Sequence, residues 1–140
     1  MFKNILVAVD GSVHGLKAAQ VAGELARSMT AERLWVVAAY DPVPDYIGQP
    51  FQSEAIAARM LQAEQVLVAA QAEIGQVPGQ LVKEVLEGPP AEAILAVAEA
   101  RAVDLIVMGT RGLGRLANLL VGSQSQKVLT QAACPVLLVR

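Results

Sequence analysis

Only one cysteine and one histidine occur among the 140 residues, and their scarcity removes several kinds of chemistry at once. Cys134 has no internal partner, so no disulfide can close within the chain, which fits a reducing, cytoplasmic setting. One Cys and one His cannot make a zinc site of the usual ligand types. Cys134 stands beside Pro135 at the start of an apolar run and reads as a buried structural thiol rather than a nucleophile. Aromatics are 4% of the chain, and Trp35 reads as strand core rather than a stacking platform. Charged residues are 17%, the net charge is -2, and no polybasic run occurs. The electrostatic footprints of duplex nucleic acid and of a membrane surface are therefore missing. No run of about 18 uncharged apolar residues is present, so no spanning helix is expected. The opening MFKNILVAVDGS has an apolar run too short for a secretory signal, lacks a cleavage site, and ends in Asp-Gly; it reads as a first strand.

What the chain has instead is core material. The apolar share is 54%, much of it Ala, Val and Leu, which suits helices packed closely on a sheet and leaves apolar surface for a subunit partner. The length is that of one domain, residues 1–140. Asn4 to Val9 is a β-branched apolar run, read as a strand buried on both faces. From Ser12 the pattern turns helical, with Ala18, Val21, Ala22, Leu25, Ala26 and Met29 on one stripe and Asp10 or Ser12 as the cap. Arg33 to Tyr40 is a second buried strand. Asp41 to Pro50 holds three Pro and one Gly and reads as an irregular loop.

Ser53 opens a long helix whose inward positions are Ile56, Met60, Ala63, Leu67, Ala70 and Ile74. Gln80 to Leu86 is a more polar strand, placed near a sheet edge. A Glu87-Gly88-Pro89-Pro90 turn leads to a helix over Ala91 to Arg101, with Pro90 suited to a helix start. Asp104 to Met108, about Ser123 to Ala132, and Pro135 to Val139 complete the set as strand, helix and strand. Strict β-α alternation predicts an α/β fold with a parallel sheet and helices on both faces.

The segment with most chemistry in it is DLIVMGTRGLGRLANLLVGSQSQKVL, from Asp104 to Leu129. A strand, a glycine-dense loop and a helix start make a phosphate site, because glycines let backbone N–H groups approach an anion and a helix start adds unpaired donors. The Walker pattern is absent, since no Gly-Lys-Ser/Thr occurs, and Gly112-x-Gly114 is not the dinucleotide fingerprint. Ligands of open parallel sheets sit beyond the carboxyl ends of the strands where strand order reverses. If the first and fourth strands are neighbours, Val9-Asp10-Gly11 and Met108-Gly109-Thr110-Arg111 share one cleft. Ser123 and Ser125 would then hold phosphate oxygens, Arg111 and Arg115 would add positive charge, and Asp10 would meet a ribose hydroxyl or a metal. The backbone near Ala38 to Tyr40 would meet a base edge. Asp10 has the competing reading of a helix cap, and Gly109 and Gly112 that of turn glycines. His14 reads as a helix-face residue rather than a base.

The spacing Gly109-x2-Gly112-x9-Gly122-Ser123, with DLIVMGTRG before it and GSQSQKVL and CPVLLV after it, resembles the nucleotide-binding signature of the universal stress protein family. ILVAVDGS and EGPPAEAIL resemble it too, so the likeness spans essentially the whole chain. It implies a Rossmann-like five-stranded sheet in the order 3-2-1-4-5 and a homodimer paired through the last strand, Pro135 to Val139. It implies a binder of ATP, with Mg²⁺, that acts as a regulatory stress-response module with little or no hydrolysis. AMP or cyclic AMP as the ligand, and a slow ATPase or phosphotransferase, are the alternatives. The candidate nucleotide residues are Val9, Asp10, Ala39, Met108, Gly109, Arg111, Gly112, Gly122, Ser123, Gln124 and Ser125. The chain departs from the pattern at Gln124, where Val is usual, and at Gln126, where Glu is common. The Gln124 amide either adds a donor at the phosphate end or crowds the pocket. Gln126 removes a negative charge near the helix start, worth about 0.3–1 kcal/mol of macrodipole stabilisation.

Overall fold

The computed structural model describes residues 1–110 and 122–140. The strands are β1 (Asn4–Ala8), β2 (Arg33–Tyr40), β3 (Gln80–Glu87), β4 (Leu105–Gly109) and β5 (Val136–Val139). The helices are α1 (Val13–Ser28), α2 (Phe51–Ile74), α3 (Pro90–Ala100) and α4 (Ser123–Gln131). All strand pairs are parallel, and the sheet order is β3-β2-β1-β4-β5. This is the Rossmann-like α/β architecture expected from the alternation and from the family resemblance.

The sheet divides two apolar cores. The pleat sends alternate side chains to opposite faces. Ile5, Val7 and Val9 join Leu34, Val36 and Ala38 under α1 and α2. Leu6 joins Trp35, Val37, Ile106 and Met108 under α3 and α4. That is why NILVA and LIVM read as continuous apolar runs: both faces are covered. Ile5, Leu6 and Val7 are wholly buried, each contributing about 1.5–3 kcal/mol of transfer free energy.

The buried side of α1 is Gly15, Ala18, Ala19, Ala22, Gly23 and Ala26. Of the expected stripe, only the alanines are fully buried; Val21, Leu25 and Met29 flank them half-buried. The small face lets neighbouring backbone come close. A Cβ at Gly23 would lie 2.5 Å from the Ile74 carbonyl oxygen. The expected inward stripe of α2 also needs correction. Ala63, Leu67, Ala70 and Ile74 are buried, but Ile56 is half-buried and Met60 is exposed. The cause is length: 24 helical residues run about 36 Å, whereas the eight residues of β2 span about 26 Å. The helix therefore outruns the sheet that supports it.

The Asp41 to Pro50 connection, expected to be irregular, contains one 3-10 turn at Asp45–Ile47 and buries Val43. Pro90 occupies the first turn of α3, as expected. β5 begins at Val136, because Pro135 has no N–H for the ladder; its carbonyl instead accepts from Ile106 N at 3.0 Å. β5 and β3 are the sheet edges, and Leu137 on β5 is exposed. Trp35 is strand core, with the Arg101 guanidinium 5.1 Å above its ring. Cys134 is half-buried against the same core, and burial pushes its thiol up from the usual range, which leaves it a poor nucleophile at neutral pH. Among the described residues no helix is long and apolar enough to cross a membrane.

Candidate functional site

β1 and β4 are neighbours, with Ala8 opposite Met108. The two strand ends singled out from the sequence therefore lie side by side. From β1 the sheet runs outward to β2 and β3 on one side, and from β4 to β5 on the other. This is the reversal point at which parallel sheets bind ligands.

At the end of β1 the chain turns through Gly11, whose φ of +84° favours glycine. Ser12 is the N-cap of α1, its hydroxyl accepting from Gly15 N at 3.1 Å. Asp10 stands one step behind it: Oδ1 accepts from Ser12 N at 2.9 Å and from the Ser12 hydroxyl at 2.5 Å. The two candidate caps thus act in series. Ser12 caps the helix, and the Asp10 carboxylate, exposed at the strand end, orients the cap.

Gly109 ends β4 directly beneath the first turn of α1. A Cβ there would lie 2.8 Å from the His14 Cβ and 2.9 Å from its carbonyl carbon. The backbone approach alone requires glycine at 109, whether or not a ligand is bound. His14 lies on the first turn of α1 with its Nδ1 buried and without a hydrogen-bond partner.

Thr110 N donates to Val139 O at 2.8 Å, and Thr110 O accepts from Gly122 N at 2.5 Å. The chain leaves β4 at Thr110 and is tied back to the same residue at Gly122. Three residues later the Ser125 hydroxyl donates to Gly109 O at 2.7 Å in a buried bond. These two ties seat the start of α4 on the end of β4. The first N–H groups of a helix have no intrahelical acceptor, and among the described residues no side chain caps α4, whose N-cap is Gly122. The arrangement is an uncapped helix start, with its partial positive charge, set at the sheet's reversal point.

Gln124 has a partner the sequence did not indicate. Its Oε1 accepts from Ala91 N at 2.9 Å. Ala91 lies in the first turn of α3, which follows Pro89 and has no side-chain cap of its own. Of the two readings of Gln124, neither names this role: its amide oxygen supplies an acceptor to a neighbouring helix. Beside it, Lys127 pairs with Glu92.

The remaining candidates divide plainly. Val9 and Met108 are core side chains, 5% and 6% exposed, so only their backbone is near the strand ends. Val9 N is already bonded to Val37 O at 2.9 Å, and Met108 sits within both flanking ladders. Ala39 lies half-buried near the end of β2, opposite Leu86. Gly122 and Ser125 each spend one donor on β4, so what α4 offers a ligand is the backbone of its first turn and the exposed Ser123 side chain. Arg111, Gly112 and Arg115 lie outside the described residues. Residues that sequence reasoning did not single out are Thr110, which anchors both ends of the excursion, and Ala91. A buried threonine directly after a strand carries no distinguishing signal, and Ala91 is 33 positions from its partner. Among the described residues no group of three or more His, Cys, Asp and Glu side chains is placed to hold a metal ion.

The sequence model of the Universal stress protein family matches residues 1–140. A universal stress protein of Thermus aquaticus, in the QAH/OAS sulfhydrylase 3'region, is 55% identical over 140 residues, covering 100% of both chains. Universal stress protein YxiE of Bacillus subtilis is 32% identical over 148 residues, again covering 100% of both. Among solved structures, universal stress protein UspA from Lactobacillus plantarum superposes with a TM-score of 0.87 at 28% identity, covering 99% of this chain and 98% of that one.

The Gly109 geometry gives a direct test of packing against ligand contact. Gly109→Ala is expected to lower the unfolding free energy by about 1–3 kcal/mol, the range for overpacking, in the absence of any nucleotide. Urea unfolding followed by circular dichroism measures it. An unchanged midpoint would show that α1 yields to a methyl group and that the glycine is there for another reason.

Proposed function

The chain belongs to the universal stress protein family, and we propose that its role there is to bind an adenine nucleotide, ATP with Mg²⁺, at the carboxyl ends of β1 and β4. The observation that carries this reading is the uncapped start of α4, seated on the end of β4 by the Ser125 and Gly122 bonds. Backbone N–H groups and the helix dipole at such a terminus favour a phosphate group. Ser123, Gln124 and Ser125 would present those N–H groups, with Gly122 ahead of them. Asp10, exposed at the neighbouring strand end, would accept from a ribose hydroxyl or face the Mg²⁺ held by the phosphates. The half-buried backbone at Ala39, with Val9 and Met108 as its floor, would meet the base edge. Arg111 and Gly112 enter this site by their place in the spacing Gly109-x2-Gly112-x9-Gly122-Ser123.

Two solved universal stress proteins support an adenine nucleotide as the ligand class. One is a complex with cAMP, at 23% identity; another, from Archaeoglobus fulgidus, is a complex with dAMP, at 20% identity. At those identities the likeness carries the fold, and the assignment rests on the residues above. These two ligands also favour a second reading, in which AMP or cyclic AMP is the preferred ligand.

The protein is proposed to act by its bound state rather than by turnover. Asp10 Oδ1 already accepts two hydrogen bonds from Ser12, so that oxygen is engaged in holding the cap of α1. A regulatory, cytoplasmic, stress-response role as one domain follows from the same reading. A homodimer is proposed through Pro135 to Val139, because β5 is an open edge carrying exposed Leu137.

Isothermal titration with Mg-ATP, AMP and cyclic AMP is expected to give saturable binding, strongest for ATP, with turnover to ADP well below about 1 s⁻¹, the low end of kinase rates. Gly112→Val and Gly122→Val are each expected to abolish it with the circular dichroism spectrum unchanged. Affinity that survives both changes places the ligand elsewhere. Sedimentation equilibrium at micromolar concentration should give a mass of twice 14.7 kDa; a monomeric mass rejects the edge-strand dimer.

A further inference from the structure

Three hydrogen bonds tie the start of α4, and one of them comes from an unexpected direction. α4 has nine residues, too few for a helix to be stable by itself in water. Its position is therefore set by what ties it to the rest of the molecule. Two ties, Gly122 N to Thr110 O and the Ser125 hydroxyl to Gly109 O, reach the same two residues at the end of β4. Both act at one strand end, while further along the helix Val128 is wholly buried in the core shared with α3. The Lys127–Glu92 pair joins α4 to α3, but both side chains are well exposed, and exposed pairs of this kind contribute little. The Gln124 bond to Ala91 N is part-buried and fixes α4 from a second direction, against the first turn of α3.

The chemistry of the partner makes this bond hard to replace. α3 begins after two prolines. Pro89 carries no capping side chain, Pro90 has no N–H, and the first N–H of the helix is that of Ala91. A first-turn N–H has no intrahelical acceptor, and a part-buried donor left without one costs more than the bond itself contributes. Gln124 satisfies that donor with its side chain, while its own backbone N–H belongs to the uncapped first turn of α4. One residue thus joins the starts of two helices.

We propose that Gln124 is the positioning residue of the phosphate end: by accepting from Ala91 N it registers the first turn of α4 against α3 and aims the N–H groups of Ser123 to Ser125 at a nucleotide's phosphates. The proposal rests on the nucleotide reading above and adds to it the element that sets selectivity for phosphate over the nucleoside. Removal of the acceptor leaves the adenosine contacts intact and lets the helix start drift from the anion.

Gln124 is exposed, so truncation there is compatible with folding. Gln124→Met keeps the length and loses the acceptor; Gln124→Ala loses both. Binding of Mg-ATP and of adenosine to each full-length variant, by titration calorimetry, is read beside hydrogen exchange at the Ala91 amide. Both variants are expected to bind ATP about five- to tenfold more weakly, the scale of one lost hydrogen bond, to bind adenosine within about twofold of the unmodified protein, and to exchange Ala91 faster. Parallel losses for ATP and adenosine would reduce the bond to general stability and overturn the proposal. A loss in Gln124→Met alone would assign the effect to bulk and likewise overturn it. If the unmodified protein binds no ATP, the nucleotide reading falls and this role with it; if it binds ATP and the substitutions leave the affinity unchanged, only the role of Gln124 falls.

Discussion

The bond from the Ser125 hydroxyl to the Gly109 carbonyl decides what the carboxyl end of the sheet can do. Gly109 is the last residue of β4 and lies under the backbone of α1. Ser125 is in the first turn of α4. One buried 2.7 Å contact therefore brings the starts of two helices, one from each face of the sheet, onto a single residue. The Gly122–Thr110 bond repeats the closure one position further out. With both made, the N-terminus of α4 stands at the carboxyl end of β4, the strand beside β1, whose own end leads into the Asp10 turn. A nucleotide presents a pair of needs: hydroxyls or a cation at one end and anionic oxygens at the other.

The construction favours holding over reacting. The groups best placed to meet a phosphate are backbone N–H groups, which stabilise charge but transfer no proton. Two side chains with acid, base or nucleophilic chemistry at these strand ends are already engaged in hydrogen bonds. Asp10 orients Ser12, and Ser125 donates to Gly109. Cys134 is remote from them, half-buried at the opposite end of the sheet, before β5. A site so equipped suits a protein whose output is its liganded state.

Much of the fold was legible because burial on both faces leaves a plain trace. NILVA, RLWVVAAY and LIVMG are continuous apolar runs, and each is a central strand. One edge strand was legible by contrast, through the polar positions of QLVKEVL; the outer place of VLLV came only with the family resemblance. What misled was α2, whose 4-3 spacing continues through Ile56 and Met60 beyond the end of the sheet; periodicity records a face but not how far its support extends. In the site, the pairing of the β1 and β4 ends followed from topology. The division of labour within it did not. Met108 and Val9 are core because both faces of the sheet are covered: Val9 packs under α1 and α2, and Met108 under α3 and α4. The requirement for glycine at 109 comes from a helix nearly a hundred residues earlier. Gln124 looked like a disturbance in a phosphate loop because its partner, the orphan N–H after two prolines, lies on another helix. Long-range hydrogen bonds of this kind have no local signature.

Phosphate binding by the first turn of α4 is readable one residue at a time from backbone amide resonances. In a ¹⁵N-labelled sample, Mg-ATP is predicted to shift the amides of Ser123, Gln124 and Ser125 strongly, and adenosine to leave these three nearly unmoved while shifting residues near Ala39. Perturbations from ATP that spare Ser123 to Ser125 and fall elsewhere would contradict it.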